Sequence, residues 1–276
     1  MDGNFFAVVN DGEVRKINLT QPIIPGIRDI FLEYGERLVN SEIEEIKFDG
    51  NYNIQEDEVL FVELTLPDNV KEVETNAIGI PDLDIDQEQI KSLFWYEDKS
   101  YYFQNFDNRR LLRNKNVLTF NKNTYSKLEE NAFIVENMVN AVFKNEKFYF
   151  SSFINANKIF NLSAFYHEAT NEEIKVFALN GKVVIDETWF TTNTNSVIRK
   201  QITLLQKSKI LDAADTSKIK KFAKKFNLGI DLDTGGKIIF PNDKKVCKDI
   251  LTFLNEQFYL GLITGNKYKT SSKRDA

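Results

Sequence analysis

Apolar residues fall in short blocks over roughly the first 150 positions and take up helical spacing from about Asn155 onward. The first block is a hairpin pattern: "NFFAVV" and "EVRKINL" flank "NDG", a tripeptide that supplies the positive φ of a tight turn. "PGIRDIFLEYGERLV" places Ile27, Ile30, Phe31 and Tyr34 on one helical face, which Leu38 continues. "EVLFVELTL" reads as a strand, and "LFWYEDKSYYFQNF" as a hairpin that turns on Glu97, Asp98 and Lys99. A further hairpin is expected in "AFIVENMVNAVFKNEKFYFSSF", turning near Lys144 to Glu146.

The second half reads differently. "NANKIFNLSAFYHEATNEEIKVFALNG" predicts a short helix, a link and a second helix that opens on Thr170 with Glu173 three residues on, a capping-box spacing, and closes at Gly181. "TNSVIRKQITLLQKSKIL" gathers Ile198, Ile202 and Leu205 on one face. "DTSKIKKFAKKFNLG" does the same with Ile219, Phe222, Ala223 and Phe226, and Gly229 is the expected terminator. "GIDLDTGGKIIF" predicts a two-stranded hairpin, and "NDKKVCKDILTFLNEQF" a helix capped by Asn242 or Asp243. The fold class that follows is α+β: a strand-rich N-terminal region packed on a mixed helix and strand C-terminal domain. The 23 phenylalanines agree, because aromatic residues favour strands and aromatic core packing. Cys247 is the one cysteine, which excludes an internal disulfide framework and a multi-cysteine metal site within one chain and fits a reducing cytoplasm. No segment approaches the roughly 20 apolar residues that a membrane span requires, so membrane association is expected to go through a partner.

Charge changes the picture most. Positions 197 to 276 hold seventeen Lys and Arg against eight Asp and Glu, whereas positions 1 to 196 hold nineteen against thirty-three. The net charge of -5 therefore conceals a strong asymmetry, suited to nucleic acid, to head-to-tail self-association or to an acidic partner. Enzymatic constellations are weak by comparison. His167, the one histidine, sits in "AFYHEAT" at an expected helix end and reads as a solvent-facing or capping residue. Asp82, Asp84 and Asp86 alternate as in a calcium loop, but Gln87 and Leu93 stand where its glycine and glutamate belong. "DTGGK" lacks the glycine and the Ser or Thr of a phosphate loop. A metal-dependent nuclease needs a carboxylate on one strand and an acidic residue plus a lysine on the next. Asp82, Glu97 and Lys99 match that spacing, yet the last two fall where a hairpin must turn. Asp231 and Asp233 form a second acidic pair with no lysine at the right offset.

The lysines carry the stronger pattern. Lys218, Lys221 and Lys225 share one helix face at i, i+3 and i+7, with Lys220 and Lys224 flanking them. Five like charges in eight residues repel one another unless something screens them, and phosphate does so while releasing condensed counterions. Lys244, Lys245 and Lys248 crowd the first turns of the last helix, where the helix dipole already presents positive potential. A surface dominated by lysine points to backbone contact without sequence readout.

Four stretches, "KFYFSSFINANKIFNLSAFYHEATNEEIKVF", "SVIRKQITLLQKSKIL", "GIDLDTGGKIIFP" and "ILTFLNEQFYLGLITGNKYKTSSKRDA", resemble the KwaB-like family, the soluble subunit of the Kiwa anti-phage defence systems. The last stretch, with Leu262, Thr264, Gly265, Tyr268 and the Ser271 to Arg274 ending, is the most distinctive. The resemblance runs from about Asn116 to Ala276, so the chain divides into an acidic strand-rich region, 1–115, and a KwaB-like domain, 116–276, whose basic lobe is 197–276. It implies a cytoplasmic protein that binds DNA, works with a small multi-helix membrane protein that recruits it to the inner face of the membrane, and blocks phage propagation. A homo-oligomer is expected; no catalytic residue, metal or cofactor is carried over. The expected activity is that of a DNA-binding effector subunit, with Lys218, Lys220, Lys221, Lys224, Lys225, Lys244, Lys245, Lys248, Lys273 and Arg274 facing phosphate. A metal-dependent nuclease and a non-catalytic protein-binding adaptor are the alternatives. Tyr268 is expected to pack against the preceding helix, with Leu262 to about Ser271 ordered.

Overall fold

The computed structural model describes residues 4–48, 50, 54–112, 117–128 and 131–270. Its chain separates into two compact units, one of residues 1–48 and 54–162, the other of residues 49–53 and 163–276. The boundary thus falls at Leu162 rather than at 115/116 as the resemblance suggested. The hairpin of "AVFKNEKFYF" supplies two inner strands to the sheet of the first unit, so a division at 115/116 cuts that sheet.

The first unit is built on one eight-stranded sheet. Its strands are β1 (Phe5–Val9), β2 (Val14–Lys16), β3 (Glu44–Lys47), β4 (Glu58–Glu63), β5 (Ile90–Glu97), β6 (Ser100–Asn105), and a hairpin numbered below as β9 (Ala141–Lys144) and β10 (Lys147–Phe150). The order is β2-β1-β5-β6-β9-β10-β4-β3, antiparallel except for the β3–β4 edge. All three hairpins expected from the turn residues are present. Two of them turn on pairs of left-handed residues, Asp98 with Lys99 and Asn145 with Glu146, which match the twist of the flanking strands.

Helices cover both faces of this sheet, which is why its central strands read as continuous apolar runs rather than as alternation. On one face α1 (Ile24–Val39) buries Phe31 against Phe5, with ring centroids 5.5 Å apart. Gly35 follows one turn later because Tyr102 leaves no room: a Cβ there would lie 2.2 Å from the ring. Two one-turn helices, α2 (Asp68–Lys71) and α3 (Val73–Asn76), were not foreseen. The other face carries an aromatic ladder, Phe6, Phe94, Phe103 and Phe148, closed by Phe160 at the end of α4 (Phe153–Ile159). Also unforeseen is a hairpin of β7 (Leu118–Asn121) and β8 (Thr124–Lys127), whose Phe120 and Tyr125 pair while exposed.

The second unit holds α5 (Asn171–Ala178), β11 (Val183–Val184), α6 (Glu187–Asn193), α7 (Ser196–Ser208), α8 (Ile210–Ala213), α9 (Thr216–Lys225), β12 (Asp231–Leu232), β13 (Ile238–Ile239), α10 (Lys244–Leu254), β14 (Phe258–Leu260) and β15 (Lys267–Lys269). α5 opens on the expected capping box: Thr170 accepts from the Glu173 amide, and Glu173 accepts from the Thr170 amide at 2.7 Å. His167 lies beside it, Nε2 at 2.7 Å from Glu173, and so braces a helix start. Gly181 keeps an ordinary φ, and α5 ends without it. Ile198, Ile202 and Leu205 of α7 and Cys247, Ile250, Leu251 and Leu254 of α10 form one core, with β13 pairing β11 in parallel and β12 antiparallel. The β11 strand was too short to show a period.

Replacing Phe31 with alanine is expected to cost about 3–5 kcal/mol of stability, since the side chain is fully buried against β1. Ile78→Ala, at a side chain 88% exposed, should stay within about 0.5 kcal/mol of the wild type. Urea midpoints check both, and equal midpoints for the two variants would contradict this packing.

Candidate nucleic-acid interface

The basic surface begins with what α9 buries. Ala223 is fully buried, with Ile219 at i−4 packed on the same core and Phe226 at i+3 half-buried against Phe253. Phe222, expected in the same stripe, is 49% exposed and lines an open apolar groove with Ile210, Ile219 and Phe253. The inward stripe is therefore narrower than the spacing suggested, and the outward face wider. Asp215 caps the helix by accepting from the Ser217 and Lys218 amides, and Asn227, in left-handed conformation, ends it two residues before Gly229.

The lysines of this face are not equivalent. Lys218 Nζ lies 3.9 Å from Asp215, and Lys220 Nζ 3.8 Å from Asp231, so two of the five have carboxylates beside them. Lys225 lies over the Phe222 ring at 5.2 Å, a cation–π contact that holds an ammonium without neutralising it. Among the described residues no carboxylate comes within ion-pairing reach of Lys221 or Lys224, and both are exposed.

α10 repeats the arrangement. Cys247, Ile250, Leu251 and Leu254 point inward at i, i+3, i+4 and i+7, which leaves Lys244, Lys245 and Lys248 exposed. Asp243, not Asn242, is the cap, its carboxylate accepting from the Val246 amide at 2.9 Å. Cys247 packs in the core and donates to the Pro241 carbonyl, and burial pushes its thiol up to about 11. It is a small apolar filler here, not a nucleophile.

Three rings join these pieces. Phe226 after α9, Phe253 in α10 and Phe258 in β14 meet with centroids 5.6 to 5.9 Å apart. They bring the C-terminal ends of α9 and α10 to the foot of the β14–β15 hairpin. Lys267 reaches Asn227 at 3.2 Å, and Lys269 pairs with Asp249 at 2.9 Å. These two lysines belong to the same surface although their spacing in the sequence singled out neither. Lys244 and Lys245 stand at the far end of α10, roughly 14 Å of helix rise away. Lys273 and Arg274 lie outside the described residues. Tyr268 does not pack on α10; it stacks on Tyr259 across the hairpin, centroids 5.2 Å apart.

The acidic residues of the nuclease spacing are dispersed. Glu97 is gripped by the Arg28 guanidinium at 2.5 to 3.1 Å, which holds its carboxyl below the usual range, and it also accepts from Trp95 Nε1. Lys99 occupies the turn in left-handed conformation, and Asp82 bridges to Lys16 at the sheet edge. Asp233 accepts from the Lys237 amide inside its own hairpin. Among the described residues no group of three or more His, Cys, Asp or Glu is placed to hold a metal ion.

Fold and surface thus define an α+β protein with a helical unit whose outward faces are lysine. Residues 88–264 match the model of the family described as Kiwa protein KwaB-like, and the chain belongs to that family, whose members are components of the Kiwa anti-phage defence system. The match begins in the last loop before β5, earlier than the resemblance suggested, and stops at Thr264, so it takes in the first part of the terminal stretch that marked the resemblance and leaves residues 265–276 outside. No curated protein and no solved structure matches the chain. No helix among the described residues is long and apolar enough to cross a membrane.

Like charges at i, i+3 and i+4 weaken α9 by about 0.2–0.5 kcal/mol per pair. Lys221→Gln combined with Lys224→Gln should therefore raise the thermal midpoint at low salt and leave it unchanged at high salt. A fall in the midpoint at low salt would show that the repulsion does not operate.

Proposed function

We propose that this protein is the DNA-binding subunit of a Kiwa-type defence system, contacting the duplex through phosphates without reading sequence. The observation that carries this reading is the set of exposed lysines, Lys221, Lys224 and Lys225 on α9 and Lys244, Lys245 and Lys248 on α10, fixed outward by the cores of their own helices. A helix that retains mutually repelling charges stores unfavourable energy that a polyanion relieves. The family membership supplies the setting, since a defence component that meets phage nucleic acid has a use for such a face. Lysine, a point charge on a flexible stem, suits phosphate contact better than base readout.

Within the same reading, the protein acts beside a small multi-helix membrane protein and forms a homo-oligomer, and the acidic residues of the first unit face one of these partners. The protein then works at the inner face of the membrane while having no spanning helix of its own among the described residues.

The test is a gel shift of labelled duplex DNA at rising salt, with and without Mg²⁺. The logarithm of affinity should fall linearly with the logarithm of salt, by about 0.9 per phosphate contacted. Lys221→Glu, Lys224→Glu and Lys225→Glu together should weaken binding on every sequence alike, by at least about ten-fold, and reduce the slope. Absence of binding at low salt would overturn the reading. Mg²⁺-dependent cleavage lost in Asp82→Ala would replace it with a nuclease.

A further inference from the structure

The β14–β15 hairpin ends in a loop whose two apolar residues have no cover. Leu262 is 103% and Ile263 99% exposed, more than any other large apolar side chain among the described residues. Isolated apolar residues on a surface need no explanation, but two adjacent ones at the turn of a hairpin do. The loop is also built to hold its shape. The Gly261 amide donates to the Asn266 carbonyl at 2.9 Å, the Gly265 amide to the Gly261 carbonyl at 2.8 Å, and the Asn266 amide to Thr264 Oγ1 at 3.2 Å. Gly265 adopts a φ of +67, which permits this turn.

Below the tip, the ribbon is stiffened and charged. Tyr259 and Tyr268 stack across it, each close to half exposed. Phe258 fixes its foot to α9 and α10, and Lys269 spans the ring of Phe258 at 5.1 Å while pairing with Asp249. The order along the arm is thus Lys269 beside Phe258 at the foot, the Tyr259–Tyr268 pair next, Lys267 opposite Leu260 at the loop end, and a bare aliphatic tip.

From this order we infer that the hairpin is a wedge: Leu262 and Ile263 enter a groove of duplex DNA and unstack a single base step, while Lys267 and Lys269 meet the flanking phosphates. The inference rests on the DNA reading above and deepens it. Aliphatic side chains inserted between base pairs unstack and kink the duplex, a cost recovered by the extra backbone the bend brings into contact. A two-stranded ribbon is one of the shapes that a DNA groove admits. A lipid surface is the other occupant that an apolar tip with a basic foot suits. Bilayer-binding elements bury a broad apolar face, however, whereas two side chains at the end of a ribbon match a single base step.

The experiment uses a duplex carrying 2-aminopurine at a TA step, the most easily opened kind. Binding of the full chain should raise its fluorescence. Leu262→Ser with Ile263→Ser, at positions that support no packing, should abolish the rise and weaken binding by less than about ten-fold, with the salt slope unchanged because no phosphate contact is lost. A gel shift without a fluorescence rise overturns the wedge and leaves DNA binding intact. No shift at all overturns both. Binding to phosphatidylserine vesicles that the double variant loses, without a fluorescence change on DNA, makes the tip a lipid anchor and also overturns the wedge.

Discussion

Three phenylalanines hold the basic unit in its working shape. Phe226, Phe253 and Phe258 come from the ends of two helices and the first strand of a hairpin, and their mutual contact sets where the lysines of α9, the lower turns of α10 and the hairpin arm stand. The helices do not need the charges; they form because Ile219 and Ala223, and Cys247, Ile250, Leu251 and Leu254, bury themselves in a shared core. Lysine is what remains on the other side. The cost of crowding like charges on α9 is a few tenths of a kcal/mol per pair, small beside the burial that fixes the helix. That imbalance lets the surface stay basic.

Legibility followed burial and turn chemistry. The hairpins with Asp98 and Asn145 were readable because the residues at their turns admit left-handed backbone, and α7 and α10 were readable because their apolar residues repeat every three to four positions over more than two turns. What escaped was short or depended on partners distant in sequence. β11 has two residues and exists only because β13 lies alongside; β15 is too brief to register as a strand, whereas the short strand that the resemblance implied after α10 is present as β14. Phe222 matched the helical spacing yet opened onto a groove, since periodicity tells which side faces inward and not how far the neighbouring helices extend.

The candidate surface was legible as a set of lysines and not as a geometry. Spacing placed Lys218, Lys221 and Lys225 together, but it did not distinguish Lys218 and Lys220, beside Asp215 and Asp231, from Lys221 and Lys224, which have no such neighbours among the described residues. Nor did it draw in Lys267 and Lys269, which reach the end of α9 and the middle of α10 through the hairpin. The nuclease spacing failed for a related reason: Glu97 faces an arginine 69 residues away, a pairing no local pattern announces.

The central claim is that nucleic acid meets the outward faces of α9, α10 and the β14–β15 hairpin. Lysine acetylation mapped by mass spectrometry, with and without saturating duplex, tests it most directly. Protection should concentrate on Lys221, Lys224, Lys225, Lys248 and Lys267, while Lys99, Lys122 and Lys144 of the first unit stay reactive. Protection confined to the first unit, or none at saturating duplex, would contradict the claim.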